Sequence, residues 1–219
     1  LISSCNMKNP LLTESSAPFG APEFDKIEDA HYLPAFEAAI AEAKSEIDAI
    51  VANQDEPTFE NTIEAMEYSG ETLDRVAGIF YNLMESNTND AMQAIAEQIS
   101  PMLTEYSMYV SLNNDLFQRV KAVYDKKDEL GLEKDQLKLL EDNYKGFVRG
   151  GANLSDEDKA LYSKWSEELS LITLQFSKNV LAATNAYTLH VTDEADLAGL
   201  PEFVRTMAAE TAAEKGLEG

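Results

Sequence analysis

The sequence predicts an all-α fold, a multi-helix antiparallel bundle or an irregular helical array, with at most one short strand near residues 187–192. Three observations predict it. Apolar residues recur at helical spacing along most of the chain, short clusters of Asn, Asp, Ser, Gly and Pro separate these stretches, and strand-like alternation stands out only at Tyr187-Thr188-Leu189-His190-Val191. Successive amphipathic helices on short connections must bury their stripes on one another, which gives a bundle or array. No fixed repeat period emerges, which excludes a solenoid of identical repeats.

Residues 6–28 carry Pro10, Pro18, Gly20 and Pro22 and read as an extended arm, because the prolines remove donors and fix the backbone. Pro34 reads as a first-turn residue of a helix running to about Asn53, with Phe36, Ala39, Ile40, Ala43, Ile47 and Ile50 on one face. Thr58, after the chain-breaking Pro57, reads as the N-cap of a second helix, with Asn61 or Glu60 able to reach back to the freed backbone donors. That helix reads as continuing through Ser69-Gly70 to about Ser86 on a stripe of Ile63, Met66, Leu73, Val76, Phe80 and Leu83. Gly70 and Gly78 permit a bend or a close helix contact.

Thr88-Asn89-Asp90 caps the next helix, marked by Met92, Ile95, Ile99, Leu103, Tyr106 and Val110 and expected to kink at Pro101. Asn113-Asn114-Asp115 precedes Leu116, Phe117, Val120 and Val123, and Gly131 reads as a stop. Leu137, Leu140, Tyr144, Phe147 and Val148 form a fifth long segment, ended by Gly150-Gly151. Ser155-Asp156-Glu157-Asp158 then starts a long helix carrying Leu161, Trp165, Leu169, Ile172, Phe176 and Val180. Pro201 opens the last helix. The aromatic and methionine stripes read as core, not as a cofactor pocket.

The chain has 219 residues and 44% hydrophobic composition, enough for a substantial core. Forty acidic against 17 basic residues leave a net charge of −23, which repels phosphate backbones and anionic bilayers. Nucleic-acid binding is therefore not expected, and the acidity reads as a solubility property of a secreted or envelope protein. No apolar stretch approaches the ~20 residues of a membrane span.

The single cysteine excludes an intramolecular disulfide framework and a thiolate zinc site. Cys5 follows Leu1-Ile2-Ser3-Ser4, which resembles a bacterial lipoprotein cleavage site whose cysteine becomes acylated, so lipidation at Cys5 is the one site residue assigned in this chain. Residues 1–28 are accordingly read as a lipoprotein-like N-terminus and arm, and residues 29–219 as a helical lobe. His31 and His190 lie far apart, so no two-histidine zinc spacing exists; His31 reads as a surface or cap residue. His190 and Glu194 share a metal only on a helix, against the strand pattern there. No nucleophile elbow, phosphate loop or Cys-His pair occurs, and with 40 carboxylates, spacing alone singles out no acid/base pair. Phe147-Val148-Arg149-Gly150-Gly151 lacks the preceding strand that a dinucleotide site requires.

Taken together, Asn9-Pro10-Leu11-Leu12, Phe24-Asp25-Lys26-Ile27, His31-Tyr32-Leu33-Pro34-Ala35-Phe36 and Thr58-Phe59-Glu60-Asn61-Thr62-Ile63 resemble, in order and spacing, the N-terminal region of the thimet oligopeptidase and peptidyl-dipeptidase family. Ser69-Gly70-Glu71, Asn87-Thr88-Asn89-Asp90, Leu112-Asn113, Leu116-Phe117-Gln118-Arg119-Val120, Leu130-Gly131-Leu132 and Ala212-Ala213-Glu214-Lys215-Gly216-Leu217 are similar to its bacterial peptidyl-dipeptidase branch. The resemblance runs over residues 9–219. It implies a helical zinc metallopeptidase that cuts short peptides in a channel between two lobes, releasing C-terminal dipeptides, with zinc held by H-E-x-x-H and a downstream glutamate.

None of those catalytic residues is in this sequence, so the expectation is an N-terminal lobe that walls the channel, has no catalytic or metal residue, binds no zinc itself and is inactive alone. Its partners are short peptides, and a membrane only through a lipid anchor. Its expected place is the bacterial envelope, periplasmic or membrane-anchored. The alternative expectation is a free-standing helical envelope lipoprotein that binds a partner or peptide without catalysis.

Overall fold

Helix follows helix through residues 9–218, the part of the chain that the computed structural model describes, and no strand occurs among the described residues. The all-α expectation holds. The alternating stretch at 187–191 lies outside any helix or turn and forms no ladder, so its strand pattern is unfulfilled here.

The arm before the first long helix carries three short 3₁₀ turns, Pro10–Leu12, Pro18–Gly20 and Phe24–Lys26. Leu11 is buried, and the Asn9 side-chain amide donates to the His31 carbonyl at 2.8 Å. Helix α1 spans Asp29–Ala52, so it starts earlier than Pro34 suggests, and Pro34 lies inside it. The start is set by a capping box. The Glu28 side chain accepts from the His31 backbone while His31 Nδ1 accepts from the Glu28 N–H at 2.9 Å. Two orphan donors satisfied at Glu28 thus outweigh the helix-starting preference of proline. Of the two roles expected for His31, surface or cap, the structure gives it the cap.

Helix α2 is a π-helical turn, Phe59–Glu64, running into Ala65–Glu67. It does not continue to Ser86. Gly70 takes φ +79, a left-handed conformation that ends the segment, and its N–H donates to Glu46 at 2.7 Å. Helix α3 then begins afresh at Glu71 and ends at Ser86. Helix α4, Asp90–Ser111, is capped by Asn89 and runs through Pro101 as one element. Helix α5, Asn114–Tyr124, is capped by Asn113; α6, Lys134–Arg149, stops at Gly150; and α7, Asp156–Ala186, opens on Ser155, whose hydroxyl accepts from the Asp158 N–H. Helix α8, Glu202–Glu214, follows Pro201 as expected.

Contacts divide the chain into two units, Leu1–Thr173 and Leu174–Gly219. In the first, α1 packs on α3, α4 and α5, and α5 packs on α6. Near the start of α1, Tyr32 and Phe36 set their rings edge-on to Phe80 of α3, at 4.9 and 5.6 Å between centroids. Toward its end, Ile47 and Ile50 join Phe59, Ile63, Leu116, Phe117, Val120, Val123, Leu140 and Phe147 in one buried cluster. The expected stripe of α1 is entirely buried.

The stripe of α7 is not. Leu161, Trp165, Leu169, Ile172, Phe176 and Val180 are all exposed, Trp165 at 61% and Phe176 at 67%. The core reading is corrected for this helix: periodicity identifies a face, but a face is buried only where another element covers it. In the second unit, a 3₁₀ turn, Glu194–Leu197, precedes α8, and none of its described residues is buried.

Candidate functional site

The Thr58-Phe59-Glu60-Asn61-Thr62-Ile63 run is a joint in the fold. Thr58 Oγ1 accepts from the Asn61 N–H at 3.2 Å, and Asn61 Oδ1 accepts from the Thr58 N–H at 2.9 Å. The reach-back group is thus Asn61 and not Glu60. Its amide also donates to the Glu56 carbonyl at 2.9 Å. The same Oδ1 accepts from Arg119 Nη2 at 3.0 Å, and Arg119 Nη1 donates to the Asn53 carbonyl at 2.7 Å. Arg119 is only 9% exposed, and carbonyl oxygens rather than carboxylates hold it. This cation ties α5 to the loop between α1 and α2. Sequence reasoning missed it, since an arginine on an amphipathic helix ordinarily reads as surface.

Two larger hollows flank helices. In the first unit, a groove of about 600 Å³ lies between α4 and the early part of α7, lined by Pro101, Met102, Met108 and Tyr109 on one side and Lys164 and Glu167 on the other. Tyr109 and Glu105 on its α4 side are engaged by side chains of α1. The Tyr109 hydroxyl donates to Asp48, and that bond, then burial, raises the phenol above its ordinary value. Lys44 pairs with Glu105 at 2.7 Å and lies 5.2 Å over the Tyr109 ring. These contacts tie α4 to α1 along that side of the groove. In the second unit, a hollow of about 630 Å³ lies between residues 188–191 and α8.

The two histidines do different jobs. His31 caps α1, while His190 Nε2 lies 2.6 Å from the Glu218 carbonyl oxygen. Glu194 turns from His190 to pair with Arg205 at 3.0 Å. The described residues do not fit a zinc centre: no group of three His, Cys, Asp or Glu comes together among them. Cys5 lies outside the described residues. No helix among the described residues is long and apolar enough to cross a membrane.

Comparison with known proteins supplies the family. Residues 36–159 match the family "Neurolysin/Thimet oligopeptidase, N-terminal domain". The chain is 41% identical over 210 residues to the dipeptidyl carboxypeptidase of Escherichia coli and 42% identical to that of Salmonella typhimurium, covering 96% of this chain and 31% of each relative. Oligopeptidase A of Escherichia coli is 32% identical over 97% of this chain and 31% of its own length. The chain thus spans about a third of the length of these relatives.

Proposed function

The chain belongs to the neurolysin/thimet oligopeptidase family, and from that premise we propose that it is the N-terminal helical part of a zinc peptidyl-dipeptidase that releases C-terminal dipeptides from short peptides. The observation that carries this reading is the likeness to dipeptidyl carboxypeptidase along 96% of the chain, higher in identity than that to oligopeptidase A. Residues 29–219 are the lobe and supply a wall of the substrate channel, and residues 1–28 are a lipoprotein-like N-terminus and extended arm. The metal and its activating glutamate are placed in the stretch corresponding to the part of the relatives outside the 31% that this chain matches. A free-standing binding module is not favoured by a likeness running over almost the whole chain to peptidases.

The test is peptide turnover. The 219-residue chain should leave short blocked peptides intact, while the full-length polypeptide should release C-terminal dipeptides and stop doing so with a chelator. Deleting residues 34–180 from the full-length protein should abolish turnover even where zinc is retained. Turnover by the 219-residue chain, freed of contaminating protease, overturns the placement of the chemistry; turnover that survives the deletion overturns the wall.

Acylation at Cys5 would place the protein in the bacterial envelope, as a membrane-anchored lipoprotein. The support is the Leu1-Ile2-Ser3-Ser4-Cys5 pattern. The precursor expressed in a Gram-negative host should then partition with membranes and the Cys5→Ala variant should not; identical fractionation removes the anchor.

A further inference from the structure

Residues 187–191 alternate aromatic, β-branched and aliphatic side chains with polar ones, a pattern that suits a strand. Yet among the described residues no backbone hydrogen bond joins 188–191 to any other segment. One side of the stretch is engaged: Thr188 Oγ1 accepts from Lys215 Nζ at 2.9 Å, and His190 meets the Glu218 carbonyl. Of the alternate residues, Tyr187 at 70% and Leu189 at 72% are exposed, while Val191 is half-buried. A row of unpaired N–H and C=O groups beside an apolar strip is a template for strand addition.

We infer that residues 187–191 form an edge that takes a β-strand, and that its occupant is a segment of the same polypeptide lying beyond residue 219 in the full-length peptidase. The inference rests on the proposed function, which makes this chain the first third of a longer protein. Three observations select that occupant over others. Glu218 stands beside His190, so chain continuing from there starts next to the edge and at a high effective concentration. The relatives are about three times as long as the matched stretch, which provides the segment. The neighbouring hollow, walled by Leu197, Leu200, Ala208 and Ala212, offers room for alternate side chains of an incoming strand. Pairing would satisfy the backbone of 188–191, and the fold around it would cover Tyr187 and Leu189.

Amide hydrogen exchange over residues 187–192, compared between the 219-residue chain and the full-length protein, reads the edge directly. Exchange in the full-length protein should be slower by about a hundredfold or more. A full-length Leu189→Pro variant, which removes a ladder donor, should lose that protection, and Leu189→Gly, the milder change should the proline variant not fold, should lose part of it. Equal exchange in both chains overturns the inference. So does protection of the 219-residue chain that rises with its own concentration, which gives the edge to a second copy, or protection conferred by a short peptide, which gives it to substrate. Fast exchange in a full-length protein that still releases dipeptides overturns the edge alone; a protected edge in a full-length protein without peptidase activity upholds it and overturns the proposed function.

Discussion

Helices α1 and α7 are both long and both periodic, yet every position of the α1 stripe is buried and no residue of α7 is. Their difference lies in their neighbours. Helix α1 has α3, α4 and α5 against it, so its apolar face leaves water at roughly 25 cal/mol per Å². Helix α7 carries a comparable set of side chains that gain little of this in the 219-residue chain. Sequence periodicity therefore marks an apolar face, and whether that face is buried depends on the neighbours the helix meets.

The largest expected effect contrasts one phenylalanine in each helix environment. Phe80→Ala removes the ring that Tyr32 and Phe36 pack against and should cost about 3–5 kcal/mol, read as a lowered urea midpoint. Phe176→Ala should stay within about 0.5 kcal/mol in the same chain. Similar losses for the two would erase the distinction between the helices.

Next in size is Arg119→Met. It leaves the Asn53 carbonyl and Asn61 without their cationic donor and should cost about 2–3 kcal/mol by denaturant unfolding. A neutral outcome would mean that water replaces the guanidinium at the joint. Gly70→Ala follows: a Cβ meets only ordinary contacts there, so the loss of about 1–2 kcal/mol comes from the φ of +79 alone. A stabilised Gly70→Ala protein would show that α2 and α3 can fuse into the single helix that the sequence suggests.

Trp165, the chain's one tryptophan, reports α7 directly. At 61% exposure its emission should be water-like and readily quenched by acrylamide in the 219-residue chain. A blue-shifted, protected tryptophan would place a cover on that face already.

The smallest effects are electrostatic. Glu56 is held below the ordinary carboxylate range by its hydrogen bond and ion pair with Lys126, and Glu141 by Lys145 and then Lys127. A lowered folded-state pKa contributes stability above the unfolded value, lost as pH falls through the folded one. The urea midpoint should therefore drop slightly in the acid range. High salt should remove this increment, since the bridges are solvent-screened. At the alkaline end the sign reverses: the Tyr81 and Tyr106 phenols, raised chiefly by burial, favour the folded state below their ordinary value of 10.0 and cease to as pH climbs through the raised ones. Tyrosinate absorbance should show these rings ionising late, together with unfolding.

Much of the bundle was legible in the residues because its signals are local. Asn89, Asn113, Ser155, Gly150 and Pro201 sit at the helix boundaries they suggested, since a cap or a stop depends on a few neighbouring backbone groups. The Thr58 run was legible as a helix start and as a family likeness. That Asn61 also receives a buried arginine from α5 was not, because their meeting depends on packing between distant segments. Likewise, Pro34 pointed to a start that the Glu28 and His31 box overrode, and Gly70 alone did not say whether it bends a helix or ends one.

By itself the sequence determined the helical class, most boundaries, the buried face of α1 and membership of a peptidase family, all carried by spacing, capping chemistry and collinear motifs. Only the tertiary structure decided that Arg119 is buried, that α2 opens as a π-turn, that α7 presents its apolar face to water and that residues 187–191 have no ladder. The reason is physical: a stripe or a strand pattern states which side chains need cover, while the free energy of covering them exists only between elements that meet in space.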